Sequence, residues 1–414
     1  MPRRDHPFRH APYRWLLAGV TINSFGNGIT PVAIAFAVLD LGGSASQLGG
    51  VIAAYAAADV VAVLLGGVLG DRLPRQVMMQ GSNGLAGIAQ LVMAASLVGG
   101  WSSITLLAVL AAVNGCCGAL GGPSSSAITQ QTVPSSLLAS AVTGRRIGQN
   151  AAMIAGNAVA GVLVVVFGAG WAIAVDAATF LVAAGCFSLL RVPALPAPDV
   201  SAGLVADVRE GAREVLRHAW LWLLIGQAML YHLFWGGALG VLGPIVVGGG
   251  ISRQAWGYAL SAMMVGFVVG GVVTVWFRPR RFLFVGTAFL SFTAFFPFAM
   301  AFSHSLALVL AGAFLHGFGL EIFSVGWDLS IQENIAPDKL ARVYSFDQIG
   351  SFVARPVGLA LTGPVAEAVG FRPWLGVVGV VMGGSSLLSL LLPDVRRLTR
   401  QQPERHELGA QLAG

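Results

Sequence analysis

Three charged residues lie in the middle of long apolar segments of the sequence. Asp59 lies twelve residues before Asp71, which follows the end of its segment, Arg355 lies twelve residues after the start of its segment at Val343, and Glu321 lies near the centre of another. Twelve helical residues span about 18 Å, so the three charges share a depth. A charge at this depth in a bilayer costs at least ~2.5 kcal/mol and usually serves a proton, ion or substrate pathway. A carboxylate there can bind or release a proton as an arginine leaves or approaches. The alternative is a permanent pair that fixes packing.

A fourth charge, Arg146, lies about 10–12 Å into the fifth apolar segment. It aligns with Asn150, one helical turn further on, in a polar stripe that could contact an anion or a substrate. Asp328 and Asp347 are candidate partners for Arg146 in later segments. The neighbouring Arg145 points about 100° away, and we expect it to extend toward lipid headgroups instead.

The composition of the chain is that of a membrane protein. Hydrophobic residues make up 56% of the 414 residues and charged residues only 10%, against about 25% charged residues in soluble domains. This excludes a disordered protein, a nucleic-acid-binding domain and an ordinary cytosolic enzyme. The three cysteines lie in apolar runs, and the sequence contains no catalytic triad, metal-ligand spacing or phosphate-binding loop. We therefore expect no cofactor, no metal and no enzymatic activity.

Twelve apolar segments are long enough to cross a bilayer as helices, which takes about 20 residues each. They are Trp15–Val38, Leu48–Leu69, Val77–Val98, Ile104–Thr129, Leu138–Phe167, Trp171–Leu190, Trp220–Val247, Trp256–Phe277, Phe282–Phe302, Leu306–Ile331, Val343–Val369 and Trp374–Leu392. With a cytoplasmic amino terminus, 21 of the 24 Lys and Arg residues fall on the cytoplasmic side. Both termini are therefore predicted to be cytoplasmic.

A polar stretch divides the chain into two similar halves. The predicted divisions are a first six-helix half at 1–190, a cytoplasmic linker at 191–218, a second six-helix half at 219–393 and a tail at 394–414. Linker arginines recur every four residues, at Arg209, Arg213 and Arg217, which fits an amphipathic helix on the membrane surface or a solvated linker. Short glycine and proline motifs of the first half recur about 203 residues later, which indicates a duplicated unit.

The loop Gly67-Val-Leu-Gly-Asp71-Arg72-Leu-Pro-Arg75 resembles the signature loop of the major facilitator superfamily. The segments Val175-Asp176-Ala-Ala-Thr-Phe180 and Pro337-Asp-Lys-Leu-Ala-Arg342 resemble its bacterial branch of enterobactin exporters and macrolide-efflux proteins. The chain departs from proton-coupled members at Asn114, where many place an arginine.

This resemblance implies an all-α membrane protein with twelve transmembrane helices in two pseudo-symmetric six-helix halves. It implies a conformational latch at Gly67, Asp71, Arg72, Arg75 and Arg342, and a structural role for Asp176. It also places Asp59 and Arg355 opposite each other across the two halves, with Glu321 and Arg146 as further proton-coupling candidates. The first, fourth, seventh and tenth helices would line a substrate cavity, with Asn23, Asn27, Asn114, Gln227, Tyr231, His232, Trp235 and Trp327 as candidate contacts.

The leading hypothesis is export of a small amphipathic organic molecule, such as a drug, antibiotic, siderophore or other secondary metabolite, by proton antiport with alternating access. The partners would be that substrate, protons and the lipid bilayer, with no nucleic acid, and the protein would be a monomer in a bacterial cytoplasmic membrane. Proton-coupled uptake of a nutrient uses the same architecture. A transport-inactive receptor or assembly protein would keep the fold without needing the charges at mid-membrane depth.

Overall fold

The computed structural model describes most of the chain. The backbone is described for residues 6–70, 75–192, 212–277, 279–336 and 339–399, and the side chains in these ranges are described except those of residues 63–70, 75, 121–127, 341, 342, 345 and 349. Within these ranges the regular structure is helical and contains no strand.

Twelve helical spans form the bundle, and each coincides with a predicted apolar segment to within a few residues at each end. They are α1 (Ala11–Asp40), α2 (Ala45–Gly70), α3 (Arg75–Val98), α4 (Ile104–Ile128), α5 (Leu138–Phe167), α6 (Ala169–Ser188), α7 (Ala219–Gly237, continued by Ala238–Leu242 and Pro244–Gly248), α8 (Arg253–Trp276), α9 (Phe282–Leu290, Ser291–Ala294 and Phe295–Phe302), α10 (Leu306–Asn334), α11 (Leu340–Phe352 and Arg355–Val369) and α12 (Phe371–Ser389). Eleven are long and apolar enough to cross a membrane, and α4 contributes the shorter apolar stretch Ile104–Leu120. The chain is a multi-pass membrane protein.

Three spans are irregular where the sequence suggested continuous helices. The end of α7 widens into π-helical turns around Pro244, and α9 tightens into a 3-10 turn at Ser291–Ala294. The helix of α11 is interrupted after Phe352 and restarts at Arg355. Pro356 follows directly, in the first turn of the new segment, where its missing N–H leaves no hydrogen bond unmade. Neighbouring helices can satisfy the backbone groups that such breaks expose.

The twelve spans form two halves, α1–α6 and α7–α12, which meet along two helix pairs. Helix α5 packs against α8, and α2 packs against α11. The second contact depends on a glycine, because a Cβ atom on Gly363 would lie 2.4 Å from the Cα atom of Ser46. With an even number of spans, the start of α1 and the end of α12 lie at one end of the bundle, and Asp40 lies at the opposite face.

Two polar contacts join the halves at the opposite face. Arg253 at the start of α8 makes two hydrogen bonds to Asp40 at the end of α1, one of them 2.8 Å long. Glu367 near the end of α11 accepts hydrogen bonds from the backbone N–H of Ser46, at 3.0 Å, and from its hydroxyl, at 2.6 Å. The start of α2 is thereby held to the end of α11.

The linker between the halves is described only in its last part. Residues 212–217 are helical, with Val215 buried and Leu216 exposed. Glu214 accepts a hydrogen bond of 2.8 Å from Lys339 just before α11, and this bond holds the pKa of Glu214 below its usual value. Arg209 and the first part of the predicted amphipathic helix lie outside the described residues. The predicted domain limits remain a prediction.

Candidate functional site

A cavity of about 630 Å³ lies between the halves, and its two walls differ in chemistry. Residues of the first half supply apolar side chains, such as Val20, Met79 and Phe187, and also a set of polar side chains, called here the polar wall. The polar wall includes Asn23, Asn27, Thr30, Tyr55, Asn83, Gln90, Asn114, Arg145, Gln149 and Asn157. Apart from Arg355, the second half contributes an apolar wall of Gly236, Leu239, Gly240, Trp256, Leu260, Met263, Met264 and Leu359. Three of the predicted contacts, Asn23, Asn27 and Asn114, lie on the polar wall.

A ladder of polar side chains runs up the first wall between α1 and α3. The amide of Asn23 donates to Asn83 Oδ1 at 2.8 Å, and seven residues further along each helix Gln90 Nε2 lies 3.4 Å from the hydroxyl of Thr30. Asn27 donates to Asn23 Oδ1 at 2.7 Å. A seven-residue step is nearly two turns, so both pairs lie on the same faces of two parallel helices. Asn83 and Gln90 are not among the contacts predicted from the sequence, although both stand 60 residues after their partners.

The upper end of this ladder leads to Asp176, which is fully buried on α6. Gln90 Nε2 donates to its carboxylate at 2.8 Å, and the hydroxyls of Thr30 and Thr179 also donate to it. These bonds tie α1, α3 and α6 together. Hydrogen bonds of this kind offset the free-energy cost of burying a carboxylate that has no cation beside it.

Arg145 lies on the cavity wall, and the expectation that it extends toward the headgroups is wrong. Its side chain is only 8% exposed, whereas Arg146 is exposed. The rotation of α5 therefore turns Arg145 inward, toward the cavity and Tyr13 of α1. Its Nε atom is buried and has no hydrogen-bond partner among the described residues.

Arg146 acts instead across the boundary between the halves. It interacts electrostatically with Glu321 and Asp328 on α10, although no nitrogen–oxygen distance of 4.0 Å or less joins these described side chains. Glu321 is partly buried and packs against Gly270 and Gly271 of α8. One cation of the first half thus acts over more than 4.0 Å on two carboxylates of the second.

Asp59 and Arg355 form a second group of charges at the boundary. Arg355 begins the second segment of α11 and acts electrostatically on Asp59 of α2, again without an ion pair within 4.0 Å between these two described side chains. Tyr55, one turn before Asp59, is close enough to interact with both charges. Helix α4 approaches closely here, since a Cβ atom on Gly115 would lie 2.2 Å from the carbonyl oxygen of Tyr55.

Tyr231 and Trp235, predicted as cavity contacts, lie in the buried aromatic cluster of the second half and not on this cavity. His316 is fully buried, and its Nδ1 lies 2.9 Å from the carbonyl oxygen of Thr293. Because a carbonyl can only accept, Nδ1 carries the proton and Nε2 accepts the Tyr231 hydroxyl at 2.8 Å. Trp235 stacks on His316 with ring centroids 4.0 Å apart. Both nitrogens of a neutral imidazole are thereby satisfied.

The other predicted contacts of the second half also have partners away from this cavity. Gln227 lies 3.4 Å from the hydroxyl of Ser386. His232 packs on Phe352 with ring centroids 4.3 Å apart. Trp327 donates through Nε1 to Asp347 at 3.1 Å.

The residues of the predicted latch either lie outside the described residues or have no described side chain. Asp71 and Arg72 lie outside the described residues. Gly67, Arg75 and Arg342 lie within α2, α3 and α11, and no side-chain contact of theirs is described. The latch remains a prediction.

Known proteins resemble this chain over nearly its whole length. It is 26% identical over 397 residues to the multidrug efflux pump Tap of Mycolicibacterium fortuitum, covering 92% of this chain and 96% of that one. It is 21% identical over 399 residues to macrolide efflux protein A of Streptococcus pyogenes, again covering 92% and 96%. The crystal structure of a POT family transporter in complex with 5-aminolevulinic acid superposes with a TM-score of 0.75 at 11% identity, covering 94% of this chain and 97% of that one.

The family model of the Major Facilitator Superfamily matches residues 16–289 and 228–414, which together include almost the entire chain. The two matched stretches overlap, as expected for a repeated six-helix unit. The twelve spans, the two halves and the cavity between them agree with that match. The chain therefore belongs to the Major Facilitator Superfamily of membrane transporters.

Proposed function

We propose that this transporter exports a small amphipathic organic molecule from the cytoplasm in exchange for protons. The observation that carries the proposal is the placement of two charge groups at the boundary between the halves. Asp59 with Arg355, and Arg146 with Glu321 and Asp328, each set a cation of one half against carboxylates of the other. The names of two relatives, a multidrug efflux pump and a macrolide efflux protein, support export.

The exchange would use movement of one half against the other. With cytoplasmic termini, the contacts of Asp40 with Arg253 and of Ser46 with Glu367 close the outer face. Opening that face must separate the halves, which changes the distance between Arg355 and Asp59. A carboxylate that loses a nearby cation inside a bilayer favours its protonated form. Proton binding from outside and release to the cytoplasm would then be linked to the two states of the transporter.

The cavity chemistry fits an organic substrate of moderate size. About 630 Å³ lies within the range of small-molecule sites. An apolar wall facing a polar wall suits a molecule with an apolar skeleton and a few hydrogen-bonding groups. Asn23, Asn27 and Asn114 are proposed contacts, and the protein is proposed to act as a monomer with the latch at its cytoplasmic face.

The test is transport by everted membrane vesicles that contain the Asp59→Asn variant. We expect proton-driven accumulation of a drug panel to fall at least tenfold, since asparagine cannot carry the proton, while the variant reaches the membrane at the level of the wild type. Asp394→Asn, which neutralises an exposed carboxylate after α12, is the matched control and should transport normally.

Full transport by Asp59→Asn would remove Asp59 from the mechanism. Proton-driven movement in the opposite direction would identify an uptake system instead. No proton-linked movement of any compound by folded protein would favour the transport-inactive alternative.

A further inference from the structure

The cavity wall carries two charged residues, and both are cations. Arg145 and Arg355 line the cavity, whereas no Asp or Glu of the described residues does so. Arg355 has Asp59 nearby to offset its charge. Asp176 lies behind Gln90, fully buried and occupied by its three hydrogen-bond donors.

Arg145 has no such compensation. Among the described residues, no carboxylate lies within 4.0 Å of its guanidinium, and its buried Nε atom has no acceptor. The charged neighbour that acts on it is Arg146, which repels it. The nearby hydroxyl of Tyr13, which donates to the carbonyl oxygen of Ala141 at 2.9 Å, makes no hydrogen bond with the described side chain of Arg145. An arginine does not lose its proton in a protein. A buried guanidinium in this position therefore needs an acceptor that the described side chains do not supply.

The residues that line the cavity together with Arg145 indicate which kind of ligand could supply that acceptor. Gln149, one turn further along α5, also lines the cavity and has no hydrogen bond to a described residue. Val20, Met79 and Phe187 line the same cavity and supply apolar surface. A guanidinium binds carboxylate-like groups through two parallel hydrogen bonds, a geometry that an ammonium group cannot match.

We propose that Arg145 binds the acidic group of the substrate, and that the cavity accepts amphipathic organic anions such as carboxylates and sulfonates on an apolar skeleton. Gln149 adds a neutral hydrogen bond to the same group, and the apolar wall of the second half covers the skeleton. This inference rests on the proposed function in one respect, namely that the cavity is where the substrate binds.

The test measures binding of three probes that share one fluorophore and differ in charge. They are dansylglycine, which is an anion, its neutral amide, and dansylethylenediamine, which is a cation. Each is titrated against the purified protein in lipid nanodiscs at neutral pH, and dansyl fluorescence reports binding. We expect dansylglycine to bind at least tenfold more tightly than either of the other two.

Variants assign that preference to Arg145. Arg145→Gln should weaken dansylglycine binding at least tenfold and leave the amide unchanged. Arg145→Lys, which keeps the charge and loses the paired geometry, should fall between the wild type and Arg145→Gln. Arg191→Gln removes an exposed charge at the end of α6 and should bind like the wild type.

Three results would overturn the proposal: equal binding of the anion and the amide, full affinity in Arg145→Gln, or no binding of dansylglycine. If Arg145→Gln does not fold, the ratio of anion to amide affinity in the wild type and in Arg145→Lys still decides the question. The two proposals fail separately. Proton-coupled export of neutral or cationic drugs that Arg145→Gln leaves intact would keep export and remove the anion site. Binding of dansylglycine through Arg145 without proton-linked transport would keep the anion site and remove proton-coupled export.

Discussion

The two halves of the bundle have the same architecture but use their polar residues differently. In the first half, Asn27, Asn114 and Gln149 face the cavity, and a ladder of amides connects that wall to Asp176. In the second half, Tyr231 and His316 on the equivalent first and fourth helices bond to each other. This pair is buried and packs against the rings of Trp235 and Phe296.

Because of this difference, substitutions in the two halves should affect different properties, substrate binding in the first and stability in the second. A polar side chain that faces a cavity is available to a ligand, whereas one that is paired in a packed interior mainly stabilises the fold. Substitutions of first-wall residues that do not bond to Asp176, such as Asn27, Asn114 and Gln149, should therefore change substrate binding with little effect on stability. Substitutions in the aromatic cluster should do the opposite.

The largest effect is expected at the centre of the aromatic cluster. His316→Ala removes the acceptor of the Tyr231 hydroxyl and leaves a cavity among Trp235 and Phe296, so it should destabilise the protein by about 3 kcal/mol. Thermal unfolding in detergent measures this. Tyr231→Phe, which removes only the hydroxyl, should cost about 1 kcal/mol. An unchanged midpoint in His316→Ala would contradict the structural role of the cluster.

A smaller effect, of a different kind, is expected on the polar wall. Asn27→Leu removes an amide that is exposed to the cavity and bonded only to Asn23 among the described residues. Substrate affinity should fall about tenfold, which corresponds to about 1.4 kcal/mol, while the unfolding midpoint stays within a degree or two of the wild type. Binding titrations and thermal unfolding on the same preparations test this. Asn150→Leu, an exposed amide of α5 that does not line this cavity, is the control.

A third prediction concerns the contact that both halves share at the opposite face. Asp40→Asn weakens the pair with Arg253, whose two side chains are 41% and 36% exposed, so the effect should stay below about 1 kcal/mol. Spin labels at Leu41 and Gly250 should show a longer-distance population that increases by less than about fivefold. A complete shift to the longer distance would mean that this one pair holds the face closed. Asp394→Asn should leave the distance distribution unchanged.

The smallest effect is expected outside both walls, at the linker. Lys339 lowers the pKa of Glu214 in the folded protein, so the contribution of this pair to stability is present above the unfolded value of 4.5 and is lost as the pH falls through the folded pKa below it. The loss should be under about 1 kcal/mol because the pair is near the surface. Unfolding midpoints between pH 6 and pH 3 should decline less in Glu214→Gln than in the wild type. A steeper decline in the variant would contradict a lowered pKa of Glu214 in the folded protein.

Hydropathy alone was enough to locate all twelve spans, because each needs about 20 apolar residues whatever its neighbours are. It could not show the interruptions in α7, α9 and α11, since those depend on partners that satisfy the exposed backbone groups. It also could not decide between Arg145 and Arg146. Adjacent residues point about 100° apart, and only the packing of α5 on α1, α6 and α8 fixes which of them faces the cavity.

Some of the candidate cavity contacts could likewise be identified from the sequence, and others could not. Asn23 and Asn27 could be selected because polar side chains in an apolar membrane helix usually face the interior of the bundle or a cavity. Tyr231 and Trp235 looked equivalent in the sequence, but their partner His316 lies 85 residues after Tyr231 on another helix. Only the tertiary structure reveals that His316 pairs with the Tyr231 hydroxyl and stacks on Trp235.

The most direct test of the difference between the halves is the reactivity of single cysteines with a small methanethiosulfonate reagent in a background without native cysteines. Asn27→Cys and Gln149→Cys should react readily, and a bound substrate should slow both reactions. Tyr231→Cys and Trp235→Cys should react at least tenfold more slowly and should be insensitive to substrate. Fast, substrate-protected reaction at Tyr231→Cys and Trp235→Cys, with none at Asn27→Cys and Gln149→Cys, would place the substrate against the second half and contradict this account.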